Sequence, residues 1–198
     1  MSTVAHTSAP IETQWSLPYK GQVGMLALIA AESAIFTIFV VAYIFYIGKS
    51  LFGPTPREVL ELPIFASICL LSSSLTIHAA GGALRKANLG SFRLWWFVTL
   101  ALGSIFLIAT GREWYHLIYE KGLTISTNLF GTTYYSLVGL HAFHVTVGLI
   151  GLFTILLLAL FGKIHQEHSK NVDTFAMYWH FVDVVWIVVF TVVYIIGR

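Results

Sequence analysis

Five apolar runs, each long enough to cross a lipid bilayer, dominate this chain and leave few residues for anything else. They cover about 22–47, 62–84, 92–115, 129–161 and 175–196. Each meets the roughly 20 residues needed to span a hydrocarbon core about 30 Å thick. Inside lipid the backbone N–H and C=O groups must find partners within the protein, so runs of this length fold as helices. The expected fold is all-α: a polytopic membrane protein with five transmembrane helices in a bundle, behind a polar N-terminal tail over 1–21. Composition agrees. Of 198 residues, 57% are hydrophobic and only 10% charged, against roughly 25% charged in a soluble domain.

The same composition excludes several functions. The net charge of +2 comes from basic residues scattered singly between spans, which points to no nucleic-acid partner. Cys69 is the only cysteine and lies within an apolar run. An internal disulfide, a CxxC metal site, a CxxCH haem attachment and a two-cysteine copper site are therefore all excluded. The first run exceeds the 7–15 residues of a signal-peptide core and has no basic cluster before Lys20, so it is expected to remain in the mature protein. Trp15 and Tyr19 are expected at the interface, and Phe52-Gly53-Pro54-Thr55-Pro56-Arg57 is a turn by composition. Lys20, Arg85, Lys86, Arg93, Lys163 and Lys170 fall on one side, and Lys49, Arg57, Arg112, Lys121 and Arg198 on the other. The Arg85-Lys86 pair in a short loop favours a cytoplasmic N-terminus.

Six ionisable residues lie well away from the ends of the runs: Glu32, His78, His141, His144, His180 and Asp183. Such groups are costly at depth, and each is a candidate functional residue. Glu32 stands twelve residues beyond Lys20, about 18 Å along a helix axis. His141 and His144 are three apart, as are His180 and Asp183, so each pair shares a helix face. A carboxylate with HxxH and HxxD on other helices could build a di-iron or zinc site, or a bis-histidine haem. The alternative is pairing between helices. Bundle di-iron centres use four carboxylates, and only Glu32 and Asp183 lie at depth; pairing is the expectation. Arg112-Glu113 is expected to be an interfacial pair, and Ser72-Ser73-Ser74 to bond back onto its own helix. Arg85, Lys86 and Arg93, with Trp95 and Trp96 at headgroup depth, are candidates for phospholipid binding.

Several motifs, in order, resemble one family. Tyr178-Trp179-His180-Phe181-Val182-Asp183-Val184-Val185-Trp186 is similar to the signature in the last helix of subunit III of the haem–copper respiratory oxidases. Gly131-Thr132-Thr133-Tyr134-Tyr135, followed by Gly139, His141 and His144-Val145, is similar to a second segment of that family. Ala31-Glu32-Ser33 sits at the place of its buried carboxylate, and Glu113 where it carries a glutamate before an aromatic. The resemblance implies a five-span bundle with a lipid-filled cleft, packed on subunit I. It further implies a complex with subunits I and II that reduces oxygen to water and pumps protons. Haem and copper would lie in those partner subunits, with no redox cofactor or metal in this chain. Glu32 resembles the cytochrome c oxidase branch, with cytochrome c as donor; some quinol-oxidase members carry aspartate there. The implied role is protection of the proton-uptake entrance of subunit I, in the plasma (inner) membrane of a bacterium, with the N-terminus cytoplasmic and the C-terminus outside. A stand-alone proton-coupled transporter relaying through Glu32 and Asp183 is the reading from another class, and no inverted repeat between the halves supports it.

Overall fold

Long apolar stretches set the helices, and polar or conformationally special residues set their ends. The computed structural model describes residues 19–198, so Trp15 and the rest of the tail up to residue 18 lie outside the described residues, while Lys20 and Gly21, expected in the tail, belong to the first helix. The helices are α1 (Lys20–Tyr46), a short α2 (Pro56–Val59), α3 (Ile64–Arg85), α4 (Leu89–Tyr119), α5 (Leu129–Leu160) and α6 (Ser169–Phe190). All but α2 are long and apolar enough to cross a membrane. Gly48 (φ +72°) and Gly162 (φ +70°) follow α1 and α5 in the left-handed region that stops a helix. The Asn88 side chain accepts from Ser91 N–H at 3.1 Å, and Asn128 from Gly131 N–H at 2.8 Å, capping α4 and α5.

Two helices outrun their apolar runs. Helix α4 continues to Tyr119, and α6 starts at Ser169 rather than near 175. Residues 169–174 contain no breaker, and Asp173 there pairs with Arg85 at 2.7 Å, so polar residues extend the helix where water or a partner can reach them. Loops are tied across each end of the bundle. Asn128 Nδ2 donates to the carbonyls of Phe52 and Pro54 at the Tyr46 end, and Gln166 Nε2 donates to the Arg85 carbonyl at the Lys20 end. Thr55 N–H donates to the Glu58 carboxylate at 2.9 Å. That backbone bond holds the Glu58 carboxyl below its usual range, so the cap is intact above the ordinary carboxylate range and lost as pH falls through the lowered value.

Helices α3, α4, α5 and α1 follow one another around a ring, and α6 closes it against α1, α3 and α5. The α3–α6 seam carries its own polar code. Trp179 Nε1 donates to Ser73 Oγ at 2.8 Å, and Trp186 Nε1 to Ser67 Oγ at 3.0 Å. The indoles are seven residues apart on α6 and the serines six apart on α3 in the reverse order, as antiparallel neighbours require. Each such bond between membrane helices contributes about 0.6–2 kcal/mol. Trp96 Nε1 likewise donates to the Leu152 carbonyl at 2.8 Å, joining α4 to α5.

Glycine makes room for the largest of these rings. A Cβ on Gly148 would lie 2.7 Å from Trp179 Cζ3, and one on Gly103 2.8 Å from Trp179 Cη2. The indole therefore lies wedged between α4 and α5 only because both positions lack a side chain. After Phe190 the last helix widens into a π-helical turn, Thr191–Ile196, closed by Gly197 N–H to the Val192 carbonyl at 2.9 Å. Tyr194, on that turn, is buried. Helix α1 is the least covered: only Phe36 and Tyr43 are buried, while Ile38, Val41 and Phe45 lie more than half exposed.

Gly148→Val forces two branched methyls against a ring that cannot retreat. The expected loss is about 1–3 kcal/mol, as for other overpacked cores, seen as a lower thermal midpoint of the solubilised protein. Gly111→Ala, with nothing within 4 Å of the added carbon, should leave the midpoint unchanged; equal shifts in the two variants would contradict the wedge.

Candidate functional site

Three polar clusters occupy the helix seams, and each gathers residues from different helices. The first joins α1 to α5. His144 Nδ1 lies 2.8 Å from the Leu140 carbonyl, which can only accept, so Nδ1 carries a hydrogen. His144 Nε2 lies 3.1 Å from Glu32 Oε2. Either a neutral Glu32 carboxyl donates to the ring nitrogen, or an imidazolium donates to a carboxylate. In both forms the bond holds one proton and the pair carries no net charge, the condition a low-dielectric seam favours. The Phe36 ring flanks the imidazole at 5.0 Å, and Tyr178 O–H donates to the His144 carbonyl at 3.1 Å, adding α6 to the cluster.

The second cluster joins α3 to α6. Ser74 Oγ lies 2.9 Å from His180 Nδ1 and also donates to Asp183 Oδ2. Asp183 is 3% exposed, and its Oδ1 has no partner. Ser72 and Ser73 do bond back to their own helix, to the Ile68 and Leu70 carbonyls, whereas Ser74 departs from that expectation and reaches across the seam.

The third cluster lies at the Tyr46 end. Tyr194 O–H donates to Glu113 Oε1 at 2.9 Å, Tyr134 O–H to the same oxygen at 3.3 Å, and the two phenols are 3.3 Å apart. Glu113 also borders a recess of about 400 Å³ lined by Glu61, Arg112 and His116. It is therefore held by tyrosines from α5 and the last turn, not by an interfacial pair with Arg112, because successive helical residues diverge around the axis.

Two further expectations are corrected. His78 is exposed on α3 rather than buried; it borders a recess of about 510 Å³ with Lys86 and Asn88. Trp96 is fully buried, while its neighbour Trp95 is 40% exposed, so only Trp95 is free to meet an interface. The remaining basic candidates diverge: Arg85 is paired with Asp173, Lys86 is exposed, and Arg93 is half-buried. Sequence reading also passed over Glu113-Trp114-Tyr115-His116, an ExxH spacing. Its two ends part company, since His116 Nδ1 pairs with Glu120 at 2.9 Å while Glu113 faces the tyrosines.

His141 and His144 are poorly placed to ligate a metal or haem. His141 is fully buried, stacked on Trp186 at 5.0 Å and met edge-on by Phe106 at 5.8 Å, with neither ring nitrogen bonded. His144 has both nitrogens engaged within the chain. Among the described residues, no three His, Cys, Asp or Glu side chains converge to hold an ion. Tyr134 and Tyr194 are site residues the sequence reading did not single out: Tyr134 stood within a motif already noted, but the partner it shares with Tyr194 was not visible there, and Ser74 was expected only to bond back onto its own helix.

Fold and site together define a multi-pass helical membrane protein whose buried acids and histidines bind helices to one another. The family model described as cytochrome c oxidase subunit III matches residues 18–198. A cytochrome c oxidase subunit 3 of Synechocystis is 39% identical over 177 residues, 87% of this chain and 74% of that protein. One from Alkalihalophilus pseudofirmus is 33% identical, covering 88% and 85%. A quinol oxidase subunit 3 of Bacillus subtilis is 30% identical over 194 residues, covering 97% and 95%. The chain belongs to the cytochrome c oxidase subunit III family.

Two outcomes follow for the site. Glu32→Gln keeps a donor for His144 Nε2 and should assemble normally, whereas Glu32→Ala leaves a buried nitrogen unpaired and should cost about 1–3 kcal/mol, read as reduced thermal stability. A hydrophobic carbodiimide should label the parent and not Glu32→Gln; persistent labelling would move the reactive carboxyl elsewhere. Separately, metal analysis of the chain after mild dissociation should find no stoichiometric haem, copper, iron or zinc, because among the described residues no three ligating side chains converge. One bound ion per chain would contradict that.

Proposed function

We propose that this chain is the non-redox subunit III of a proton-pumping terminal oxidase, which reduces oxygen to water with electrons from cytochrome c. The observation that carries this reading is the family match along residues 18–198, together with His141 and His144 held within helix seams. Its partners are subunits I and II, which hold the haem and copper. It sits in a bacterial inner membrane with the N-terminus in the cytoplasm and the C-terminus outside, an orientation supported by Arg85 and Lys86 where α3 ends before the short connection to α4.

Its work is to stabilise subunit I and shield the proton-uptake entrance. The uncovered apolar face of α1 supports a docking role, since Ile38, Val41 and Phe45 need lipid or another helix against them. The chain also binds phospholipid. A groove of about 640 Å³ between α1 and α6, lined by residues such as Ile29, Val40, Val184 and Val188, has the apolar character of an acyl-chain site. Lys86 and Trp95 are exposed near the Lys20 end, where a headgroup would meet them. Glu32 supports cytochrome c as donor. The long alignment with a quinol oxidase subunit favours quinol as the second reading.

Oxidase depleted of this chain should consume oxygen at the intact enzyme's initial rate and then lose activity over successive turnovers, with slower proton uptake. Matching decay curves would remove the protective role, and complete loss of initial activity would place the chain in the chemistry. Assays of the intact complex with reduced cytochrome c and with quinol identify the donor.

A further inference from the structure

The apolar groove between α1 and α6 leads to a polar recess at its Tyr46 end. Ser33, Phe36 and Val40 of α1 line the groove, and the same helix face continues through Tyr43 and Ile47 into that recess, about 380 Å³ in volume. Arg57 and Arg198 line the recess and are exposed. Arg57 Nε donates to the Arg198 main-chain oxygen at 2.7 Å. Among the described residues, no other hydrogen bond and no carboxylate side chain holds either guanidinium. Tyr43 lines the same recess and is 2% exposed, yet its hydroxyl is buried without a partner. A Cβ on Gly197 would lie 2.6 Å from that hydroxyl, so the last turn closes over the phenol only because Arg198 follows a glycine.

Two guanidinium groups beside an apolar groove match a phosphodiester that carries an acyl chain. Guanidinium forks bind phosphate oxygens in pairs, and a phenol with no partner has a hydrogen to donate. The two arginine charges outnumber the single carboxylate that a chain ending at Arg198 would add. Glu58, next to Arg57, is turned onto Thr55 N–H at 2.9 Å, so the recess favours an anion. The lengths agree. Ile47 lies eleven residues beyond Phe36, about 16 Å along the helix axis, close to the ~15 Å hydrocarbon depth of one leaflet. At the Lys20 end the start of α1 is instead tied to α6, by Tyr19 O–H donating to Asn171 Oδ1 at 2.6 Å. Lys86 and Trp95 belong to neither helix that lines the groove.

We propose that the groove and the recess hold one anionic phospholipid, its phosphate bound by Arg57 and Arg198 and one acyl chain lying between α1 and α6. The headgroup then sits at the Tyr46 end of the bundle, in the leaflet opposite the one that Lys86 and Trp95 face. Bound there, the lipid bridges three parts of the chain that the helix seams leave loosely joined: α1, the short α2 and the last turn after α6. The proposal rests on the phospholipid binding proposed above, and adds which end holds the headgroup and which side chains select its charge.

Native mass spectrometry of the purified complex containing this chain, in detergent with added phosphatidylglycerol, tests the site by counting bound lipid. A variant carrying Arg57→Gln and Arg198→Gln keeps an amide donor for the Arg198 main-chain oxygen. It should retain one phosphatidylglycerol fewer than the parent, with affinity for that molecule lowered about tenfold or more, the cost of losing charge-assisted bonds. Val40→Trp fills the groove without touching either arginine and should lose the same molecule. All three substitutions together should still lose only one lipid, because both ends hold a single molecule. If the double variant does not assemble, Arg198→Gln alone reads the same contact, since no hydrogen bond of its side chain is removed. Loss of two lipids from the triple variant would overturn the single site. Parent-like retention in the double variant, with phospholipid still bound elsewhere, would overturn the headgroup assignment and leave the broader lipid reading standing. A parent complex that retains no phospholipid would remove both. Release of a partner subunit from the double variant, with the lipid kept, would assign the arginines to a protein contact instead.

Discussion

The contact on which the rest of the bundle depends is the hydrogen bonding of α6 indoles to α3 serines. In lipid the hydrophobic effect does not drive helices together, so packing and polar bonds must set their register. Trp179 and Trp186 each present a donor that would be unsatisfied if α6 rotated or slid by one turn, and Ser73 and Ser67 receive them at 2.8 and 3.0 Å. Once that register is set, Ser74 stands opposite His180 and Asp183, and the Trp179 ring lies in the gap left by Gly103 and Gly148. A single seam thus places α6 against α3 and, through the indole, against α4 and α5.

The polar clusters follow the same physical logic at different depths. Near the middle of α1, Glu32 and His144 share one proton and need no counter-ion from outside the pair. At the Tyr46 end the π-helical turn accompanies the burial of Tyr194, whose hydroxyl joins Tyr134 on the Glu113 carboxylate. In both places a carboxylate that would be costly in lipid is partnered within the bundle. The two clusters also link helices distant in sequence, which explains why residues of the family motifs in the fourth and fifth spans lie together in space.

Helix α1 stands apart from this pattern. It is apolar almost all round and buries only Phe36 and Tyr43, so its fixed points are the Glu32–His144 bond and the contact of Phe36 with Phe181 at 6.3 Å. A helix so lightly held by its own chain is suited to being covered by neighbours. This is consistent with membership of a family whose proteins are subunits of an oxidase.

Sequence by itself determined the all-helical fold, because five long apolar runs in lipid have no other way to satisfy their backbones. It also marked the residues that carry the seams, since Glu32, His144, His180 and Asp183 are too polar to lie at depth without partners. Tertiary structure alone decided who those partners are. Spacing showed that His180 and Asp183 share a face, but not that Ser74 would join them. Adjacent Trp95 and Trp96 looked equivalent in the sequence, yet a turn of about 100° per residue sends one outward and the other to the Leu152 carbonyl. His78 looked as buried as its neighbours because it lies within the hydrophobic run of α3, and only the packing left that position uncovered. Periodicity groups residues around one helix axis; the rotation of that helix against its neighbours is set by long-range contacts such as those of Trp179 and Trp186.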